Sequence, residues 1–172
     1  MNAMGGPESF GRPHSPQKMR EASMRVLAVV GIMLVAGPAA ADFGVTVEKF
    51  VAGIVGHAEL GLRDRGCRPE FCYLSDGSEK HWLYIQRDRK NVVTQVLFEL
   101  PASAWADSAA FLEAVQSGLL IPPPSRITAP EITRTAKTLP SAGISLRGRA
   151  IVCSALLQKV KPENVLGACK PG

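Results

Sequence analysis

A chain of 172 residues with a net charge of +5 and four cysteines is mildly basic. That excess permits attraction to anionic surfaces but does not demand a nucleic-acid partner, and none is expected. One apolar run raises the question of a membrane, and at about a dozen residues it falls short of the roughly 20 that a spanning helix needs.

Residues 1–23 form no recognisable element. Met1 to Arg20 is polar, rich in Pro, Gly and Ser, and lacks periodicity. It reads as disorder or as an extension upstream of the true start. Residues 24–41 have the form of a secretory signal peptide: Arg25 is a basic n-region, Val26 to Gly37 an apolar h-region, and Ala39 and Ala41 an A-x-A exit. Cleavage is expected between Ala41 and Asp42. With Asp rather than Cys after the cut, a lipoprotein anchor is not available. Losing four bases and two acids lowers the charge from +5 to +3. The remaining chain, 42–172, has the commonest size for one domain and is expected to be no integral membrane protein after cleavage.

Thr46 to Leu60 predicts a helix, because Val47, Phe50, Val51, Ile54 and Ala58 recur at three- and four-residue intervals. Thr46 suits the N-cap, and Gly53 and Gly56 weaken the helix while permitting close packing. His57 borders the stripe and reads as a packed or edge histidine.

The stretch from Phe71 to Leu100 predicts three strands joined by two turns. Asp76-Gly77 is a strong two-residue hairpin signal. It would set Ser75 opposite Ser78, Cys72 opposite His81 and Phe71 opposite Trp82. Asp88, Arg89, Lys90 and Asn91 make a second turn that would set Leu83 opposite Val96 and Ile85 opposite Thr94. The side-chain period of two then assigns Cys72, Leu74, Leu83, Ile85, Val92, Val96 and Phe98 to a core face, and Phe71, Tyr73, Trp82, Tyr84 and Gln95 to the other. That second face is too aromatic for a plain solvated one. It is either partly covered by another element or a binding surface centred on Tyr73, Trp82 and Tyr84.

Pro101 should stop the third strand. Asp107 or Ser108 begins a second helix through Gln116, with Phe111, Leu112, Val115 and Leu119 inward. Pro122-Pro123-Pro124 is a stiff spacer. Thr128-Ala129-Pro130-Glu131 has the capping-box form and should open a third helix reaching about Leu139. Gly143 to Gln158 turns extended, and Asn164 to Cys169 returns beside it. The order α-β-β-β-α-α-β-β predicts an α+β two-layer sandwich: a mostly antiparallel five-stranded sheet with helices on one face, stabilised by disulfides.

Export places the cysteines in an oxidising compartment, where pairing is the default. Pro69 sits where a turn between Cys67 and Cys72 wants it. A hairpin centred near Lys161 sets Cys153 opposite Cys169. Cys67–Cys72 and Cys153–Cys169 are therefore the expected bridges. A zinc site built from Cys67, Cys72, His57 and His81 fits poorly, since its histidines are scattered. A Cys72–His81 nucleophile is excluded by a disulfide at Cys72.

Catalytic signatures are missing. Gly143-Ile144-Ser145-Leu146-Arg147 starts like a nucleophile elbow, but its fifth position is Arg. No phosphate loop, dinucleotide fingerprint or H-E-x-x-H occurs, so no cofactor is expected. Arg87, Arg89 and Lys90 form a basic hairpin tip, either a solvated turn that discourages edge pairing or a dock for an anionic envelope surface. Arg63-Asp64-Arg65, Arg147 and Arg149 could extend it. The reading is a small periplasmic or secreted binding or accessory domain with a cell-envelope protein or anionic surface as partner. The alternatives are an inhibitor or effector acting through the clamped loop Arg68 to Phe71, and a hydrolase without a readable motif. Mass analysis of the native product should find an N-terminus at Asp42 and no alkylatable thiol; an intact leader or four free thiols would overturn the export reading.

Overall fold

The apolar alternation of the central stretch is realised inside a larger sheet. The computed structural model describes residues 41–78, 80–138, 140–159 and 163–172. The extension over 1–23 and the leader up to residue 40 lie outside them, as do Leu139 and the hairpin centre at Lys161. The described residues from 41 onward form one compact unit.

Seven strands make one antiparallel sheet: β1 (Arg63–Cys67), β2 (Phe71–Ser75), β3 (Trp82–Arg87), β4 (Val93–Pro101), β5 (Ile144–Arg147), β6 (Ile151–Leu157) and β7 (Asn164–Pro171). Their spatial order is β1-β2-β3-β4-β7-β6-β5. Among the described residues three helices, α1 (Val47–Val55), α2 (Ser108–Gly118) and α3 (Ala129–Ala136), complete the α+β architecture.

The expected five-stranded sheet is thus corrected to seven strands. Both additions are edges. β1 reads Arg-Asp-Arg-Gly-Cys and is exposed along its whole length, so no apolar period marks it; the charges that hide it from a pattern search also protect it as an edge. β5 is separated from β6 by a tight turn at Gly148, where an added Cβ would come within 2.6 Å of the Ser125 carbonyl. The long extended run from Gly143 is therefore two strands folded on each other.

Both hairpin registers also differ from expectation. Cys72 pairs with Ile85 rather than His81, because the first loop runs from Asp76 to His81. Ile85 pairs with Val96 rather than Thr94. The displacements are four residues and two, both even, so every side chain keeps its expected face. Val92 is the exception. A register shift after Gln86 brings Val93 into the core and leaves Val92 bridged to Thr46.

Followed across the sheet from partner to partner, Cys67, Cys72, Ile85, Val96, Cys169, Cys153 and Leu146 form one transverse row. Both expected disulfides, Cys67–Cys72 and Cys153–Cys169, lie in that row. The next row is Leu74, Leu83, Phe98, Gly167, Ala155 and Ile144. Gly167 is required there: an added Cβ would lie 1.9 Å from Phe98 Cζ. The Phe98 ring, laid over that glycine, meets Phe111 of α2 edge-on at 5.4 Å.

The helices cover this face. Val47, Phe50 and Ile54 of α1, Phe111, Leu112 and Val115 of α2, and Ile132 of α3 belong to one core with the buried members of the two rows. Gly53 of α1 meets Gly118 of α2 so closely that a Cβ on Gly53 would be 3.0 Å from Gly118 Cα. The expected first helix is shorter than read: it ends at Val55 with Gly56 as its C-cap, and Ala58–Leu60 is a separate 3₁₀ turn. The hydroxyls of Thr46 and Thr128 stand at N-cap positions but make no capping bond. Trp105, which the helical pattern did not place, is buried in a 3₁₀ segment (Ala102–Asp107), and its Nε1–H donates to the Thr138 carbonyl at 3.0 Å.

Two measurements test this packing. Gly167→Ala should lower stability to urea by about 1–3 kcal/mol, the usual cost of overpacking. Replacing Cys153 and Cys169 together by Ala should cost about 3 kcal/mol on the chain-entropy account of a loop this long.

Candidate functional site

The same pairings that build the core set the opposite face. One row there reads Arg63, Ser75, Trp82, Glu99, Leu166 and Leu156; the next reads Tyr73, Tyr84, Leu97, Ala168, Ser154 and Ser145. Tyr84, Leu97, Leu166 and Ala168 are buried yet stand apart from the helix-covered core. Phe71, Tyr73 and Trp82 are half-buried beside them.

Four aromatic rings are gathered at the β2–β3 side. Trp82 and Tyr84 lie two residues apart on β3, with centroids 6.0 Å apart and ring planes 7° from parallel. Tyr73, directly across from Tyr84, is 6.5 Å from it at 28° and 6.1 Å from Trp82 at 27°. Phe71 closes the group edge-on against Tyr84 at 5.7 Å. The structure therefore brings Tyr73, Trp82 and Tyr84 together on one face, as the strand alternation implies.

Sequence reasoning missed Glu99. It is 7% exposed and lies between Trp82 and Leu166 on the aromatic face. Asn164 Nδ2 donates to its Oε1. The only available signal was parity: Glu99 follows Phe98 in a run buried on both faces, so it must share the face of Leu97.

The basic tip is built differently. Asp88 Oδ1 accepts from the backbone N–H of Lys90 and of Val92, at 2.8 and 2.9 Å, and Asn91 takes φ 63°. That carboxylate cap is what makes the turn. Arg87 Nη1 donates to Asn91 Oδ1 at 2.6 Å, so it is tied to its own loop. Arg89 and Lys90 are exposed. Neither Arg63 nor Arg147 joins this tip: β1 and β5 occupy opposite edges of the sheet.

At the other end of β2 lies a cleft of about 650 Å³, lined by Leu62, Leu100 and Phe111 and edged by Asp76, His81 and Ser108. Asp76 organises it. Its Oδ2 accepts from Ser78 Oγ–H at 2.7 Å and pairs with His81 Nδ1 at 2.7 Å; its Oδ1 accepts from the N–H groups of Lys80 and His81 at 2.9 and 3.3 Å. Gly77 does not take the positive φ of the expected tight turn. Four donors on one carboxylate close a longer loop instead, which is why the first register differs. Partial burial pushes the Asp76 carboxyl up, but the hydrogen bonds from Ser78 and His81 outweigh it and hold the group well below the usual carboxylate range. His57 is likewise an edge residue, paired with Glu59 at 2.9 Å. Among the described residues no cluster of metal-ligating side chains occurs.

At the β1–β2 tip, Arg68 N–H donates to the Phe71 carbonyl at 2.7 Å, with Pro69 and Glu70 exposed beyond it. The Cys67–Cys72 bridge crosslinks the strands behind that tip. No protein-family model matches the chain, and neither a curated protein nor a solved structure matches it.

Because the Asp76 pKa is depressed in the folded chain, its contribution to stability is complete above the ordinary carboxylate value and fades as pH falls through the folded one. Thermal melts should therefore show stability declining below about pH 4, and declining less in Asp76→Asn. At neutral pH the same substitution should cost about 1–3 kcal/mol, the worth of hydrogen bonds to a charged group.

Proposed function

We propose that this chain is an exported binding or accessory domain that engages a cell-envelope protein through the second face of its sheet, with Tyr73, Trp82 and Tyr84 as anchors. The observation that carries the reading is the gathering of four rings from two adjacent strands, away from the core that the helices complete. Rigid aromatic side chains on a sheet supply large contact area with little rotamer entropy to lose, which is why they dominate interface hot spots.

Two disulfides support the export half of the reading, because such bridges persist in oxidising compartments. No helix among the described residues is long and apolar enough to cross a membrane. The basic tip contributes less, since Arg87 is already held by Asn91 and only two cations remain exposed. Affinity capture from envelope extract tests the reading. Trp82→Ala should reduce recovery of the captured protein at least tenfold, as expected for a hot-spot aromatic worth about 2 kcal/mol, while Arg89→Ala with Lys90→Ala should leave it unchanged. Equal recovery by the Trp82 variant would remove the aromatic face from the account.

A further inference from the structure

We infer that the tip of the β5–β6 hairpin, with the segment it rests on, docks the chain on an anionic phospholipid surface. Arg126, Arg147, Arg149 and Lys170 meet the headgroup phosphates, and Leu120 enters the layer beneath them. This is a second surface, added to the aromatic face and not dependent on it.

Charge is spread unevenly along the chain. From Asp42 to Leu119 there are eight bases and eleven acids; from Leu120 to Gly172 there are eight bases and two acids. The fold concentrates part of that excess. Arg147 ends β5 and pairs with Val152, which pairs with Lys170. The two bases therefore share one face of the sheet, two strands or about 10 Å apart. Gly148 follows in the turn and rests on the backbone of Ser125 to Ile127, where an added Cβ would be 2.7 Å from the Arg126 carbonyl carbon. The Ala150 N–H donates to the Ser125 carbonyl at 3.1 Å. Arg126 is thereby held beside Arg147 and Arg149. Arg147, Arg149 and Lys170 are exposed, and Arg126 is half-buried. Among the described residues the ion pairs are His57–Glu59 and His81–Asp76, and neither involves these four bases. Of the two acids, Glu163 precedes Asn164 at the opposite end of β7, and Glu131 lies in the first turn of α3, where the helix dipole suits it. Gly172 packs against Arg149 to Ile151, and a carboxylate there still leaves a positive excess. The β3–β4 tip is not counted, since Asp88 and Glu48 lie beside its bases.

Leu120 is the independent observation. Its N–H donates to the Ser117 carbonyl at 2.9 Å, and the Ile121 N–H donates to Gln116 at 3.1 Å. This double closure of α2 puts the residue between them in the left-handed region, where Gly is usual because it has no Cβ. Leu120 takes φ 55° there. It is also 64% exposed. The backbone favours a glycine at this position, and the core gains little from so exposed a side chain. Arg126 Nε donates to the carbonyl of Ile121, the next residue, at 2.7 Å, which joins the leucine to the basic cluster. An outward apolar side chain beside unpaired bases is the combination that interfacial lipid binding uses. Guanidinium groups match phosphate oxygens, and the leucine gains from the acyl boundary. A soluble polyanion would engage the bases and give Leu120 no role.

Co-sedimentation of the native product with vesicles tests this. It should partition onto a two-to-one mixture of phosphatidylcholine and phosphatidylglycerol, and hardly onto phosphatidylcholine alone. Arg147→Glu with Arg149→Glu should weaken that partition at least about tenfold, given the attraction each base contributes near an anionic surface. Leu120→Asn suits the left-handed conformation, so it should leave the thermal melt unchanged or raised while weakening partition about fivefold. Equal partition onto both vesicles, or an unchanged partition in either variant, would overturn the inference. So would capture by soluble polyphosphate with no vesicle binding. Should the double charge reversal not fold, salt decides on the unaltered chain: raising it from about 0.05 M to about 0.5 M should release the chain from the anionic vesicles, and undiminished binding would refute the electrostatic dock.

Discussion

The pairing of β4 with β7 is the constraint on which the rest of the molecule depends. It joins a local four-stranded meander to a three-stranded unit that arrives only after both later helices. Its register puts Val96 beside Cys169 and Phe98 beside Gly167. The first pair places both disulfides in a single row. The second gives the Phe98 ring a floor without a side chain, so that the ring can reach Phe111 on α2. A slip of one residue at this seam would turn the core row outward and abolish both arrangements at once. The covalent bridges do not make the seam; each crosslinks a strand pair to one side of it.

Much of this was legible in the sequence, and the reason is parity. The faces of the central strands follow from a period of two, which survives any even error in loop length. Cys153 opposite Cys169 follows from one hairpin centre. What was not legible depended on side chains acting over a distance. Asp76-Gly77 carries a turn signature, yet the four donors that converge on the Asp76 carboxylate favour a longer loop. β1 carries no signature, because an exposed edge has no reason to alternate. Trp105 and Glu99 each take a hydrogen bond with a segment far along the chain, Thr138 in one case and Asn164 of β7 in the other. No window of neighbouring residues contains that information.

The two faces of the sheet answer to different physics. On the helix side, small residues let backbones approach and large ones fill the space, as at Gly53 against Gly118. On the opposite side, flat rings stand beside a shielded carboxylate. The first arrangement is what a modest core requires. The second gathers four rings from two adjacent strands, and that is what makes that side the candidate for recognition.

The crosslinks themselves are unequal in their surroundings. Cys153 and Cys169 are both buried, whereas Cys67 is exposed on the outermost strand and its partner Cys72 is not. A dissolved thiol therefore has a line of approach to the peripheral bridge through one sulfur and faces a closed wall at the inner one. Such a chain offers a reductant a single door, and opening it would free the tip of an edge strand while the seam that holds the two halves of the sheet stays sealed.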